Sequence, residues 1–251
     1  MTDLALKDVC KNFGGVIAAE NVVMDVVPGR ITGLIGPNGA GKSTLVNLIT
    51  GMLPLTSGAI RFGERDITTA RADEIAQLGF ARTFQNIRLF KEATVLDNLL
   101  IGYHTAQQSP VLANILGLPA ARAETGRIKQ QAKDLLARFG MTRYADFPAG
   151  GLAYGHQRRV EMMRALASSP SVLLLDEPVA GMNDVEAGEL GDIFRSLAAS
   201  GMAVLLIEHN IRFVTKLCEH IYVLDNGRII AEGDSASIVS NPAVIAAYLG
   251  E

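Results

Sequence analysis

The sequence predicts an α/β fold built on a mainly parallel sheet, and three observations lead to it. Short apolar runs of strand length alternate with amphipathic segments of helix length. One run, Ile31–Ile35, feeds a glycine-rich loop that opens a helix, the order expected of a strand–loop–helix unit in a parallel sheet. Another run, residues 172–175, ends in two carboxylates, Asp176 and Glu177. The chain has 251 residues, 49% of them apolar, which is ample for a buried core.

In order, residues 4–9 and 21–27 read as strands, with Pro28-Gly29 as a turn. After the 31–35 strand, a helix is expected over 42–49, stopping at Gly51, and further strands over 59–62 and 80–83. From about residue 94 to 140 the pattern is helical, broken at Ser109-Pro110 and at Gly117-Leu118-Pro119. Within it, residues 120–139 place Ile128, Leu135, Leu136 and Phe139 on an apolar face, while Arg122, Arg127, Lys129 and Lys133 read as a solvated face. After Gly155 the alternation resumes: helix 157–167, strand 172–175, helix 185–199 and strand 203–207. Strands 221–224 and 228–231 flank Asn226-Gly227, a two-residue hairpin signal, and a short helix over 244–249 follows. The expected organisation is a core of residues 1–90 and 165–251 with an N-terminal antiparallel β region, and a helical subdomain over 91–164.

Bulk properties exclude several classes of function. The net charge is −3, with 23 basic and 26 acidic residues mixed along the chain, unlike the basic face of a nucleic-acid binder. Cys10 and Cys218 form no CxxC, so neither a zinc site nor a disulfide framework is expected. Met1-Thr2-Asp3-Leu4 opens no secretory signal, and no run of 18 apolar residues occurs. The expectation is a cytoplasmic chain whose connection to a membrane runs through another protein.

Residues Gly36-Pro37-Asn38-Gly39-Ala40-Gly41-Lys42-Ser43 fit G-x-x-x-x-G-K-[ST] between a strand and a helix. The glycines let the backbone turn its N–H groups toward phosphate oxygens, and the following helix adds its positive end. Lys42 is expected on the β- and γ-phosphates of ATP, Ser43 on Mg²⁺, and Thr44 among the nucleotide contacts. Asp176, ending a buried strand, suits Mg²⁺ held through water, and Glu177 suits the activation of a water.

With these motifs on the page, the chain resembles the nucleotide-binding subunit of an ABC transporter over essentially its whole length. Gln85, in Arg82-Thr83-Phe84-Gln85-Asn86, resembles the Q-loop glutamine, a ligand of Mg²⁺. Leu152-Ala153-Tyr154-Gly155-His156-Gln157 stands at the signature motif, Ala180-Gly181-Met182-Asn183 at the D-loop, and His209 at the switch histidine. Phe13, before Gly14-Gly15, matches the aromatic that stacks on adenine, with a packed core aromatic as the rival reading. The signature departs from the usual Leu-Ser-Gly-Gly-Gln: Ala153 replaces the serine, Tyr154 a glycine and His156 the glutamine, while Asn183 replaces the D-loop aspartate.

The resemblance implies a mechanism. A second ATPase subunit closes over the nucleotide and presents Ala153, Tyr154, Gly155 and His156 to the ATP of its neighbour. Glu177, His209 and Gln85 are the implied catalytic set, with Ser43, Gln85 and Asp176 holding Mg²⁺. The implied partners are an identical or paralogous ATPase, an integral membrane permease and an extracytoplasmic solute-binding protein.

Residues 80–89 (FARTFQNIRL), Leu206-Ile207-Glu208-His209-Asn210 and the tail with Asn241-Pro242 and Ala247-Tyr248-Leu249-Gly250 are similar to the branched-chain amino acid importer's ATPase. The function implied is to energise such an importer from the inner face of the membrane. The alternatives are a non-hydrolysing regulator, a soluble ABC-type ATPase and an exporter of the same family.

Overall fold

A computed structural model describes residues 3–84, 87–103 and 118–249. Near the N-terminus, β1 (Leu4–Phe13) and β2 (Val16–Val26) form an antiparallel hairpin through Gly14-Gly15. Both strands exceed the lengths the sequence suggested. Register shifts between Leu6 and Val9, and again up to Asn12, break the two-residue alternation that marks a strand. With β4 (Ser57–Phe62) and β5 (Arg65–Asp66) they make a four-stranded sheet in the order β2-β1-β4-β5.

The second sheet has six strands. Its members are β3 (Ile31–Ile35), β6 (Phe80–Arg82), β7 (Val172–Asp176), β8 (Ala203–Ile207), β9 (His220–Asp225) and β10 (Arg228–Gly233). Their order is β10-β9-β3-β8-β7-β6, parallel throughout except for the β9–β10 hairpin at Asn226-Gly227. Every residue of β3, β7 and β8 is buried, which explains why these strands read as continuous apolar runs. Each fully buried Leu, Ile or Val side chain contributes about 1.5–3 kcal/mol.

Helix α1 (Lys42–Ile49) follows the glycine-rich loop, and α2 (Ala72–Gln77) precedes β6. The mostly helical stretch contains α3 (Val95–Gly102), α4 (Pro119–Arg138) and α5 (Tyr154–Leu166). The expectation for residues 104–117 lies outside the described residues. Four further helices follow among the described residues: α6 (Asp184–Ala199), α7 (Ile211–Leu217), α8 (Ser235–Val239) and α9 (Pro242–Leu249). Among the described residues no helix is long and apolar enough to cross a membrane.

Two apolar clusters lie on the faces of the large sheet. Leu34, Leu174, Leu205 and Leu224 point toward α1 and the β1–β2 hairpin. Ile35, Leu173, Leu206 and Val223 point toward α3, α4, α5, α6 and α7. Strand alternation divides these residues between the faces. It fixes what the register implies for the loops: Leu34 and Asp176 both pair with Ile207. The carboxyl ends of β3, β8 and β7 therefore lie side by side.

Candidate active site

Three loops leave those adjacent strand ends, and they carry the residues singled out by motif. The loop from β3 runs through residues 36–43 into α1. Gly36 and Gly41 have φ of 154° and 106°. A Cβ on Gly36 would fall 2.0 Å from the Leu224 carbonyl oxygen, and one on Gly41 2.4 Å from that of Ala18. Only glycine fits at either position. Gly41 caps α1 without a side-chain bond, so the first N–H groups of the helix stay available to an anion. Ser43 is exposed beside them.

Lys42 is 9% exposed, and its ammonium donates to the carbonyls of Gly36 at 2.7 Å and Pro37 at 2.8 Å. Burial lowers its pKa from the ordinary lysine value, while the nearby carboxylates of Glu177 and Asp176 act in the opposite sense. A cation is thus held over the loop, solvated by the loop's own backbone.

Asp176 ends β7 and is 5% exposed. Its backbone N–H donates to the buried Thr83 hydroxyl at 3.1 Å, and its carboxylate accepts from Arg82 at 3.0 Å. Arg82 also donates to Asn47 of α1 at 2.6 Å. The sequence alone does not reveal this guanidinium bridge, because a lone arginine at the end of an edge strand carries no signal of its partner. Glu177 follows with a φ of 48°, an uncommon conformation for a non-glycine residue. Its N–H donates to the Ile207 carbonyl at 2.9 Å, which ties this loop to the end of β8.

His209 lies on the loop from β8, its Nδ1 3.5 Å from Glu177 Oε1. The histidine and glutamate, separated by 32 positions in the chain, are brought together by the β7–β8 pairing. Gln85 lies outside the described residues. Its neighbour Phe84 is held through its carbonyl by Arg158 and through its N–H by Glu161 at 3.4 Å. Arg158 and Glu161 form a fully buried pair on α5 at 2.9 Å.

Phe13 is 45% exposed at the tip of the β1–β2 hairpin, with the Lys11 ammonium 4.9 Å from its ring centroid. It is not a packed core aromatic. β2 carries the Ala18 carbonyl against Gly41, so this hairpin flanks the phosphate loop.

At the signature the structure corrects one boundary. Helix α5 begins at Tyr154 rather than at 157, with Ala153 as its N-cap. Glycine and histidine in the first turn weaken the sequence signal. Tyr154, Gly155 and His156 therefore occupy that first turn, where N–H groups lack partners inside the helix. Ala153 supplies no capping oxygen. His156 lies 4.7 Å from the Tyr144 ring, and burial together with Arg159 and Arg143 depresses its pKa. Gly155 and Tyr154 face Met182 and Gly181, so the signature and D-loop segments of one chain are neighbours. Asn183 caps α6: its side chain accepts from the N–H groups of Val185 and Glu186, and Glu186 reaches back to the Asn183 N–H. Its amide oxygen is thus engaged within the chain.

A phosphate loop, an acidic strand end and a histidine on adjacent parallel strands define an ATP-binding cassette. The chain belongs to the ABC transporter family, whose sequence profile matches residues 19–180. A second profile, of the branched-chain amino acid ATP-binding cassette transporter, matches residues 228–251. The chain is 39% identical to the high-affinity branched-chain amino acid transport ATP-binding protein LivG of Salmonella typhimurium, over 99% of this chain and 98% of that protein. It is likewise 39% identical, with the same coverage, to BraF of Pseudomonas aeruginosa, which carries the same description. Among solved structures, a nucleotide-free ATP-binding cassette from an ABC transporter superposes with a TM-score of 0.86 at 36% identity, covering all of both chains. The ADP conformation of such a cassette matches with the same three values.

Proposed function

We propose that this chain hydrolyses Mg·ATP to drive a membrane permease that imports branched-chain or similar hydrophobic amino acids. The observation that carries the reading is the convergence of the 36–43 loop, Asp176–Glu177 and His209 on neighbouring strand ends. The near full-length identity to LivG and BraF supports the choice of solute.

ATP lies on the 36–43 loop, its γ-phosphate met by backbone N–H groups and Lys42, its adenine against Phe13. Lys42 must leave the Gly36 and Pro37 carbonyls for the phosphates, so its charge is already in place when nucleotide arrives. The donor set fits Mg²⁺: one buried carboxylate, one exposed hydroxyl and the substrate's own phosphates, without an all-protein cage. Ser43 and Asp176 would hold the ion, with Gln85 as the third ligand; once bound, it neutralises charge developing on the γ-phosphoryl group. Arg82 already serves as the counter-charge of Asp176.

Glu177 orients the attacking water, and His209 beside it helps hold water and γ-phosphate in line. Catalysis here is mostly positioning and electrostatic stabilisation, so a lone subunit turns over slowly. A second cassette completes the site with the first turn of its signature helix. Phe90 and Phe147 are 54% and 55% exposed, and the Phe147 carbonyl accepts from Val95 at the start of α3. These two exposed aromatic side chains suit a permease loop at the inner membrane face. In that setting a solute-binding protein delivers the amino acid from the opposite side.

The test is Mg·ATP hydrolysis by the parent and by Glu177→Gln, with oligomeric state followed by light scattering. Turnover in the parent, and an ATP-trapped inactive dimer in the variant, are expected. ATP binding without turnover in the parent would favour a non-hydrolysing regulator instead.

A further inference from the structure

Glu208 precedes the switch histidine and has no role in the mechanism above, yet it is a carboxylate only 1% exposed. Burying a carboxylate costs several kcal/mol unless hydrogen bonds compensate. Here the compensation comes from both catalytic loops. Glu208 Oε1 accepts from the Val179 N–H at 3.2 Å, and Oε2 accepts from the His209 N–H at 3.2 Å. The His209 ring Nδ1 stands 3.9 Å from the same Oε2 and 3.5 Å from Glu177 Oε1.

The backbone explains why a side chain is needed at this point. The Glu177 N–H is taken by the Ile207 carbonyl, and Pro178 has no N–H. The next amide able to anchor the 177–179 turn is that of Val179, and Glu208 takes it. Glu177 meanwhile holds a φ of 48°, a conformation that persists only where its surroundings determine it.

We infer that Glu208 is a positioning residue that clamps the Glu177–Val179 turn to the His209 loop, fixing the lytic glutamate and the switch histidine as one unit. The clamp is buried, and it acts through the two residues rather than on substrate. Burial also pushes the Glu208 carboxyl above the usual carboxylate range, with the backbone N–H of Val179 as the largest opposing influence. The inference rests on the roles proposed for Glu177 and His209.

The experiment measures kcat, KM and nucleotide affinity for Glu208→Gln, for His209→Ala and for the double variant. Glutamine keeps the shape but offers one acceptor oxygen where two are needed. The expected result is a kcat lowered about tenfold to a hundredfold, the size of effect an ångström of misplacement produces, with KM and ATP affinity within about twofold of the parent. The double variant is expected to be little slower than His209→Ala alone. A parental kcat in Glu208→Gln, or losses that multiply fully in the double variant, would overturn the inference. If Glu208→Gln does not fold, Glu208→Asp takes its place: it keeps the charge but is one methylene too short to span both amides, and the same two results decide. Glu177→Gln is assayed alongside. If it is inactive while the Glu208 variants are parental, only the clamp is wrong; if it turns over ATP, the Glu177 assignment fails and the clamp falls with it.

Discussion

At Ala153 the missing hydroxyl has two separable consequences. As the N-cap of α5 it leaves a first-turn N–H without a side-chain acceptor, and serine there is worth about 1 kcal/mol more than alanine. In the proposed two-subunit mechanism it would also withhold one hydrogen bond from the γ-phosphate of the facing nucleotide, a bond to a charged group worth roughly 1.5–3 kcal/mol. Ala153→Ser is therefore expected to raise the melting temperature by roughly 2–4 °C and to hydrolyse ATP at least as fast as the parent. Calorimetry and a phosphate-release assay measure the two effects. A clear slowing of hydrolysis would count against the phosphate argument, and an unchanged melting temperature against the cap. Asn183 offers the opposite lesson. Its departure from the usual aspartate is explained locally, since the amide oxygen caps α6 as a carboxylate would.

Among the elements, α5 does the most to join the parts of the molecule. Its first turn carries the signature, and one turn on, the buried Arg158–Glu161 pair grips Phe84, next to Gln85. Glu161→Ala takes the carboxylate away from a guanidinium 1% exposed, which costs about 3–5 kcal/mol in urea denaturation. Replacing both residues together by Met and Leu should recover most of that stability, because the desolvation cost of the charges disappears with them. The double variant is still expected to hydrolyse more slowly, since Phe84 is no longer tied to the signature helix. A single change costing less than about 1 kcal/mol would mean that the pair contributes little.

The strands of the large sheet were legible because burial on both faces makes them unbroken apolar runs, as in β3 and β8. The β1–β2 hairpin was only half legible, since bulges disturb its alternation. Lys42, Asp176 and His209 stood out because each belongs to a motif. Arg82, Arg158 and Glu208 did not, because their meaning lies in partners up to 94 positions away, and only the folded sheet supplies those.

For the whole molecule, the phosphate loop joins the two apolar clusters. It leaves β3, whose residues alternate between them, and enters α1, which packs on one of them. Ligand held by this loop therefore stabilises the entire core rather than one edge. Binding to the native state alone adds RT ln(1 + [L]/Kd), about 2.7 kcal/mol at a hundredfold excess over Kd. For a chain of this size that corresponds to a rise in melting temperature of roughly 5–10 °C with Mg·ATP. Lys42→Ala removes the cation proposed to turn from the Gly36 and Pro37 carbonyls to the phosphates. Its own melting temperature should stay close to the parent's, because the charge it loses was partly desolvated at a cost. The nucleotide-dependent rise should vanish at the same ATP concentration. Differential scanning fluorimetry of the two proteins, with and without Mg·ATP, decides the point: an undiminished rise in Lys42→Ala would show that the backbone N–H groups of the loop suffice to hold nucleotide.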